Sequence, residues 1–360
     1  MSHAASTIES SPDVTPRASY LAARGVPAIA ALVIGQLVGP AGLSVVTNQL
    51  LSLVDAFIPL ALSTMGVLAG LQVNIQGQKR GIAAGALVGG IVSMVVAAGV
   101  RGALSLVSGP EESTRWWIAI AVGLCARCAV PLLDDDSRGE EGSETRHLGL
   151  VLPFVAGSFV FAAAHTHAFP SAAFLLGASI LAAALIAVSG SLLTASWSTA
   201  AEHRVVGVAM VLLLGGIADL LSVVALPLGM CAGVIWRAQR SAAREALLPI
   251  LDSLDRVFVI MIFLVAGAQS RVTLAAAIGA VAYGVCLVAA RSIAVRIAAH
   301  SGTAVVSNLG VVLPASPYAV ALAVGMSRGD VPGSTTILTV VVLATVGSHL
   351  IRWFSSEGDA

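Results

Sequence analysis

Charge is scarce in this chain. Of its 360 residues, 11% are Asp, Glu, Lys or Arg, about half the share of an ordinary globular domain. A soluble fold needs a solvated polar surface and a disordered chain needs more charge still, so neither describes the bulk of the sequence. Lysine is almost missing: Lys79 stands alone, and 19 basic residues against 19 acidic ones leave a formal net charge of zero. No basic face remains to hold the phosphates of a nucleic acid. Cysteine is sparse as well. Cys125, Cys128, Cys231 and Cys286 all fall in apolar stretches, where a disulfide framework has no purpose and a thiol packs as a small apolar group. The first 24 residues lack the basic stretch and apolar run of a cleaved signal. Their Ser, Ala, Pro and Thr content predicts a disordered cytoplasmic tail, and residues 355–360 predict a second, short one.

What is present is apolar. Hydrophobic residues make up 57% of the chain and the mean hydropathy is +0.94. Stretches long enough for a bilayer recur from Val26 to Phe354, which predicts an all-α polytopic membrane protein. The 36 glycines and 14 prolines suit close-packed and broken transmembrane helices and not the alternating strands of a membrane barrel. Apolar segments fall near 26–39, 50–72, 81–107, 115–133, 147–164, 170–196, 204–218, 220–236, 247–268, 272–297, 303–326 and 333–354, about twelve spans. Loop charges test that layout independently, because cytoplasmic loops collect Lys and Arg. One alternate set of loops holds Arg17, Arg24, Lys79, Arg80, Arg138, Arg146, Arg204, Arg237, Arg240, Arg244, Arg296 and Arg352; the other holds little beyond Arg115, Arg271 and Arg328. Both termini are therefore expected in the cytoplasm, as an even span count requires, with the chain integral to a bacterial inner membrane.

Several patterns have ordinary readings. Gly81, Gly85 and Gly89, and Gly35 with Gly39, are small-xxx-small stripes for close helix contact. The acidic stretches at 111–112 and 134–141 read as solvated loops, and Asp252, Asp255 and Arg256 as residues at headgroup level. Cys125 and Cys128 have the spacing of a zinc or redox pair but lack a second ligand pair. His165 and His167 flank a turn, and Arg328-Gly329-Asp330 is a loop. No metal site, no cofactor and no nucleophile–base arrangement is indicated, so an enzyme is not expected.

A family resemblance rests on particular residues. Gly35-Gln36-Leu37-Val38-Gly39-Pro40-Ala41-Gly42-Leu43, preceded by Arg24-Gly25-Val26-Pro27, resembles the opening of the cation:proton antiporter superfamily, the sodium/proton and potassium/proton exchangers. Met65-Gly66-Val67-Leu68-Ala69-Gly70-Leu71-Gln72, Leu228-Gly229-Met230-Cys231-Ala232-Gly233 and Phe263-Leu264-Val265-Ala266-Gly267-Ala268 resemble later family motifs in the same order, and Arg291 falls where the family carries a basic residue. The resemblance implies a transmembrane domain over 25–354 made of two inverted-topology repeats, about 25–165 and about 204–354, joined by a linking helix at 170–196. It also implies a homodimer in a lipid bilayer, with crossing helices at 115–133, broken near Arg127-Cys128-Ala129, and at 303–326, broken near residues 313–317.

The resemblance fails at one place that chemistry makes decisive. Competition of a proton and a cation for one buried carboxylate is what couples their fluxes. The family supplies that acid in the helix read here as 147–164, but Val155 and Ala156 occupy the positions and the segment contains no Asp or Glu. Arg127 is the opposite oddity, since a guanidinium cannot shed its proton and must face protein, water or an anion. Residues 127, 291, 219, 156, 158, 128 and 316 (Arg127, Arg291, Asp219, Ala156, Ser158, Cys128 and Ser316) are the candidate ion pathway. The expected function is exchange of protons and monovalent cations by alternating access. The alternatives are a small-anion or weak-acid carrier using Arg127 and Arg291, and a non-transporting sensor or assembly subunit on the same scaffold.

Overall fold

Hydrocarbon offers no partner to a backbone N–H or C=O, so an apolar run satisfies its own backbone by coiling into a helix. The computed structural model follows that rule and describes residues 17–72, 79–107, 111–128, 155–164, 169–195, 199–239, 242–300, 317–328 and 331–357. Its helices are α1 (Arg17–Val38), α2 (Asn48–Asp55), α3 (Ile58–Gln72), α4 (Lys79–Ser105) and α5 (Glu112–Cys128), then α6 (Val155–Ala164). There follow α7 (Phe169–Ala195), α8 (Ala200–Leu220), α9 (Ala225–Ala238), α10 (Ala242–Gln269), α11 (Leu274–His300), α12 (Pro317–Ser327) and α13 (Ser334–Glu357). Among the described residues no strand occurs. The chain is an all-α polytopic integral membrane protein.

The expected spans are present, with shifted ends. α1 begins at Arg17, inside the stretch expected as a tail, and α13 runs on to Glu357. The 50–72 span is bent into α2 and α3 around Ala56 and Phe57. Pro59 accounts for the bend, since it has no N–H to offer the carbonyl of Asp55 and would clash with it in a continuous helix. The stretch around Asp219 resolves into a full-length α8 and a shorter α9 of 14 residues. The interruption expected at 313–317 falls outside the described residues except for Pro317, which opens α12.

Packing divides the helices into two bundles. In the first, α1 lies on α10 and α3 on α9, with α7 and α8 against them; in the second, α4, α5, α11, α12 and α13 pack together. α6 joins the second bundle by setting Gly157 against the Leu322 and Met326 side chains of α12, 3.1 Å from where a Cβ would stand. Glycines draw the helix pairs of the first bundle together. A Cβ on Gly66 or Gly70 would run into the α9 backbone at Leu226 or Met230, and one on Gly229 or Gly233 into the α3 backbone at Ser63 or Val67. Gly35 and Gly39 press in the same way on Leu264 and Ala268 of α10, which answers with Gly267 against Leu32. The expected stripe at Gly35 and Gly39 is thus a helix crossing.

Polar bonds reinforce the first bundle. The indole Nε1 of fully buried Trp236 donates to the Ala187 carbonyl at 2.8 Å, and Arg237 donates to the Leu71 carbonyl at 3.0 Å near the end of α3. α8 starts with a capping box: Glu202 N donates to Thr199 Oγ1 at 3.3 Å and Thr199 N to Glu202 Oε2 at 3.2 Å. Thr199→Ala is expected to cost about 1 kcal/mol, seen as a lower thermal midpoint in detergent, with Thr199→Ser close to wild type.

Candidate functional site

The two bundles meet along a seam formed by α12 and α13 against α10, with α12 also touching α3 and α9. Three polar bonds cross the seam at the end where α8, α10 and α12 finish. Arg328 donates to Asp219 at 3.0 Å, Ser327 Oγ to Gln269 Oε1 at 3.3 Å, and the Arg271 backbone N to Thr339 Oγ1 at 3.0 Å. Gln269 also donates to Asp55 at 3.2 Å, so the last turn of α12 is tied through α10 to the bend between α2 and α3. Beneath these bonds lies a cavity of about 130 Å³ with a floor that includes Leu62, Phe161 and Gly325 and a rim of Asp219, Ser222 and Arg328. Ser222 turns the chain between α8 and α9 at φ 49°, in the left-handed region that few L side chains adopt. Nothing local in the sequence signals that Asp219 and Arg328, 109 residues apart, meet.

α6 lies against α12. Its Gly157 and Ser158 are buried, whereas Val155 and Ala156 are half-buried. The Ser158 hydroxyl has no hydrogen-bond partner among the described residues, though fully buried. Such a group costs free energy that a bonded one does not. Arg127 and Cys128 end α5 and Arg291 lies on α11, both helices of the second bundle. The side chains of these three residues, and all of Ser316, His165 and His167, lie outside the described residues. Among the described residues no three His, Cys, Asp or Glu side chains gather as metal ligands.

Asp255, expected at headgroup level, stands 13 residues after Ala242 and 14 before Gln269, midway along α10. At 1.5 Å per residue that is about 20 Å from either helix end. α10 begins earlier than hydropathy suggested because Arg244, Glu245 and the alanines beside them are good helix formers whatever their polarity. Asp255 is half-buried with its Oδ1 shut off from solvent. Tyr318 stands in the first turn of α12, which packs on α10 across the seam.

Among solved structures, the chain is similar to that of the sodium proton antiporter MjNhaP1 from Methanocaldococcus jannaschii at pH 8, with a TM-score of 0.63 and 14% sequence identity over 93% of this chain and 94% of that one. At that identity the likeness shows a shared fold, and it is the fold that the motifs around Gly35, Gly66, Gly229 and Gly267 implied. No family model matches the sequence, and no curated protein does.

Proposed function

We propose that this protein is a secondary transporter that exchanges a monovalent cation for protons by moving its two bundles against each other. The observation that carries the reading is the seam: two separately packed bundles joined chiefly through α10 and α12, with a cavity between them at one end. The loop charges make that end the outer one and keep both termini in the cytoplasm. The inverted repeat that the resemblance implies, about 25–165 and about 204–354 with α7 as the link, would suit the same mechanism, and the α1–α10 and α9–α3 crossings are the two pairs that glycines interlock.

The test is a flux assay on purified protein in liposomes. A proton gradient should collapse when sodium, potassium or lithium is added outside, and not in empty liposomes. A second reading, an anion or weak-acid carrier using Arg127 and Arg291, is favoured by one observation: the described part of α6 carries no acid. Uptake of an anion without any cation requirement, abolished by Arg127→Ala, would establish that reading in place of the first. No flux of either kind would leave a scaffold that does not transport.

A further inference from the structure

A hydroxyl buried in a helix has a ready partner in the carbonyl three or four residues before it. All the other buried Ser and Thr hydroxyls among the described residues take it. Ser179 donates to Leu176 at 2.8 Å and Thr345 to Val341 at 2.7 Å, and Ser63, Thr64, Thr194, Ser270 and Thr339 do likewise. Ser158 of α6 is buried as deeply, and its Oγ has no partner among the described residues. We propose that Ser158 is a ligand for the transported cation, reached from the outer cavity past Phe161. The inference rests on the exchange reading above and names a residue on its route.

The helices around α6 place Ser158 beside the cavity. Gly157 stands against Leu322 and Met326 of α12, and Phe161, one turn further along the same face, forms part of the cavity floor with Gly325 and Leu62. Ser158 comes three residues before Phe161, about 4.5 Å back along α6 and about 60° around it. By the count of spans and loop charges α6 runs toward the outer end, so Ser158 lies behind Phe161 as seen from the cavity. On its other flank is Ala162, in a cluster with Ala172 of α7 and Trp117 of α5.

Phe161 is the natural barrier between them. Its ring is buried, and an apolar constriction excludes water and ions while it is closed. Its neighbour in the floor, Leu62, belongs to α3 of the first bundle, whereas Phe161 and Gly325 belong to the second. Movement of one bundle against the other therefore remakes the floor.

The chemistry favours a cation that arrives with water. The cavity, about 130 Å³, has room for several water molecules, and exposed Asp219 at its rim attracts positive charge. A serine oxygen is a hard, neutral ligand suited to an alkali cation. A resident water would need further polar partners, and Gly157, Phe161, Ala162, Leu322 and Met326 offer no polar side chain. A partly hydrated cation brings its own.

The experiment is the thermal midpoint of the full-length protein in detergent against sodium, potassium or lithium chloride, with choline chloride as control, alongside the liposome assay. At least one of the three salts should stabilise wild type where choline chloride does not. Ser158→Ala should need roughly ten-fold more cation for the same stabilisation, as befits loss of one neutral ligand. Without cation it should melt no lower than wild type, because the group removed has no bond to lose. The second arm is access. In a protein freed of its native cysteines, Ser158→Cys should react slowly with a small charged thiol reagent, and Phe161→Ala should speed that reaction roughly ten-fold or more. Phe161→Leu is read in its place if Phe161→Ala does not fold. A Ser158→Ala protein that melts below wild type, or does not fold, would show the hydroxyl to be bonded and overturns the proposal. So does a wild-type cation response in Ser158→Ala, a wild type that choline chloride stabilises equally, or a labelling rate indifferent to residue 161. A weakened cation response in Ser158→Ala, in a protein that passes no protons, would support the site and reject exchange. Exchange with unchanged cation dependence in Ser158→Ala would reject the site alone.

Discussion

Gly229→Leu is expected to leave little or no monodisperse protein, while a substitution thirteen residues earlier, Gly216→Ala, is expected to melt at or slightly above the wild-type midpoint. Both glycines lie in apolar helices, so composition does not separate them; their surroundings do. A Cβ on Gly216 would have nothing within 4 Å, whereas one on Gly229 would run into the carbonyl and Cα of Ser63. An opposing side chain could turn aside, but an opposing backbone moves only with its whole helix. Overpacking typically costs about 1–3 kcal/mol, and here it falls on the crossing of α3 and α9, where Gly66, Gly70 and Gly233 make reciprocal approaches. Gly229→Ala, which adds a Cβ and nothing else, should already lower the midpoint. At Gly216 the same change removes backbone freedom from the unfolded chain at no steric cost and is worth about 0.5–1 kcal/mol in the other direction. Equal midpoints for the two alanine variants, measured in one detergent, would mean that the α3–α9 crossing is looser than this structure has it.

That contrast also shows what the sequence made legible. Gly35 and Gly39 announced a helix contact because small residues four apart share a face, and the motifs containing Gly66, Gly70, Gly229 and Gly233 carried the resemblance that named the fold. Hydropathy located the spans because the bilayer fixes their length. It set the start of α10 too late for a related reason: an apolar window marks where hydrocarbon-compatible residues begin, not where a helix begins, and α10 starts five residues before that window with charged residues that favour helix as well as leucine does. Pro59 did signal the bend between α2 and α3, yet the apolar run 50–72 masked it. The pairing of Asp219 with Arg328, and of Ser327 with Gln269, had no local signature. Each depends on how α12 lies against α8 and α10, which no periodicity within one helix can report.

A bridge between residues 219 and 328 should stop transport completely and reversibly. Asp219 ends a helix of the first bundle and Arg328 follows the last residue of α12 in the second, and their ion pair spans the seam beside the cavity at 3.0 Å. The Asp219 side chain is 58% exposed, so the pair itself is worth at most about 1 kcal/mol, and removing it by Asp219→Asn should slow or speed exchange only a few-fold. A covalent link is different, because it forbids relative motion whatever the energy of the native contact. In a protein freed of Cys125, Cys128, Cys231 and Cys286, Asp219→Cys with Arg328→Cys, joined by a short flexible linker cleavable by reductant, should lose flux on linking and regain it on cleavage. Each single variant treated with the same reagent should keep its flux. Undiminished exchange in the linked protein would mean that the two bundles do not part at this end, and the moving boundary would have to be sought away from the contact of α12 with α8.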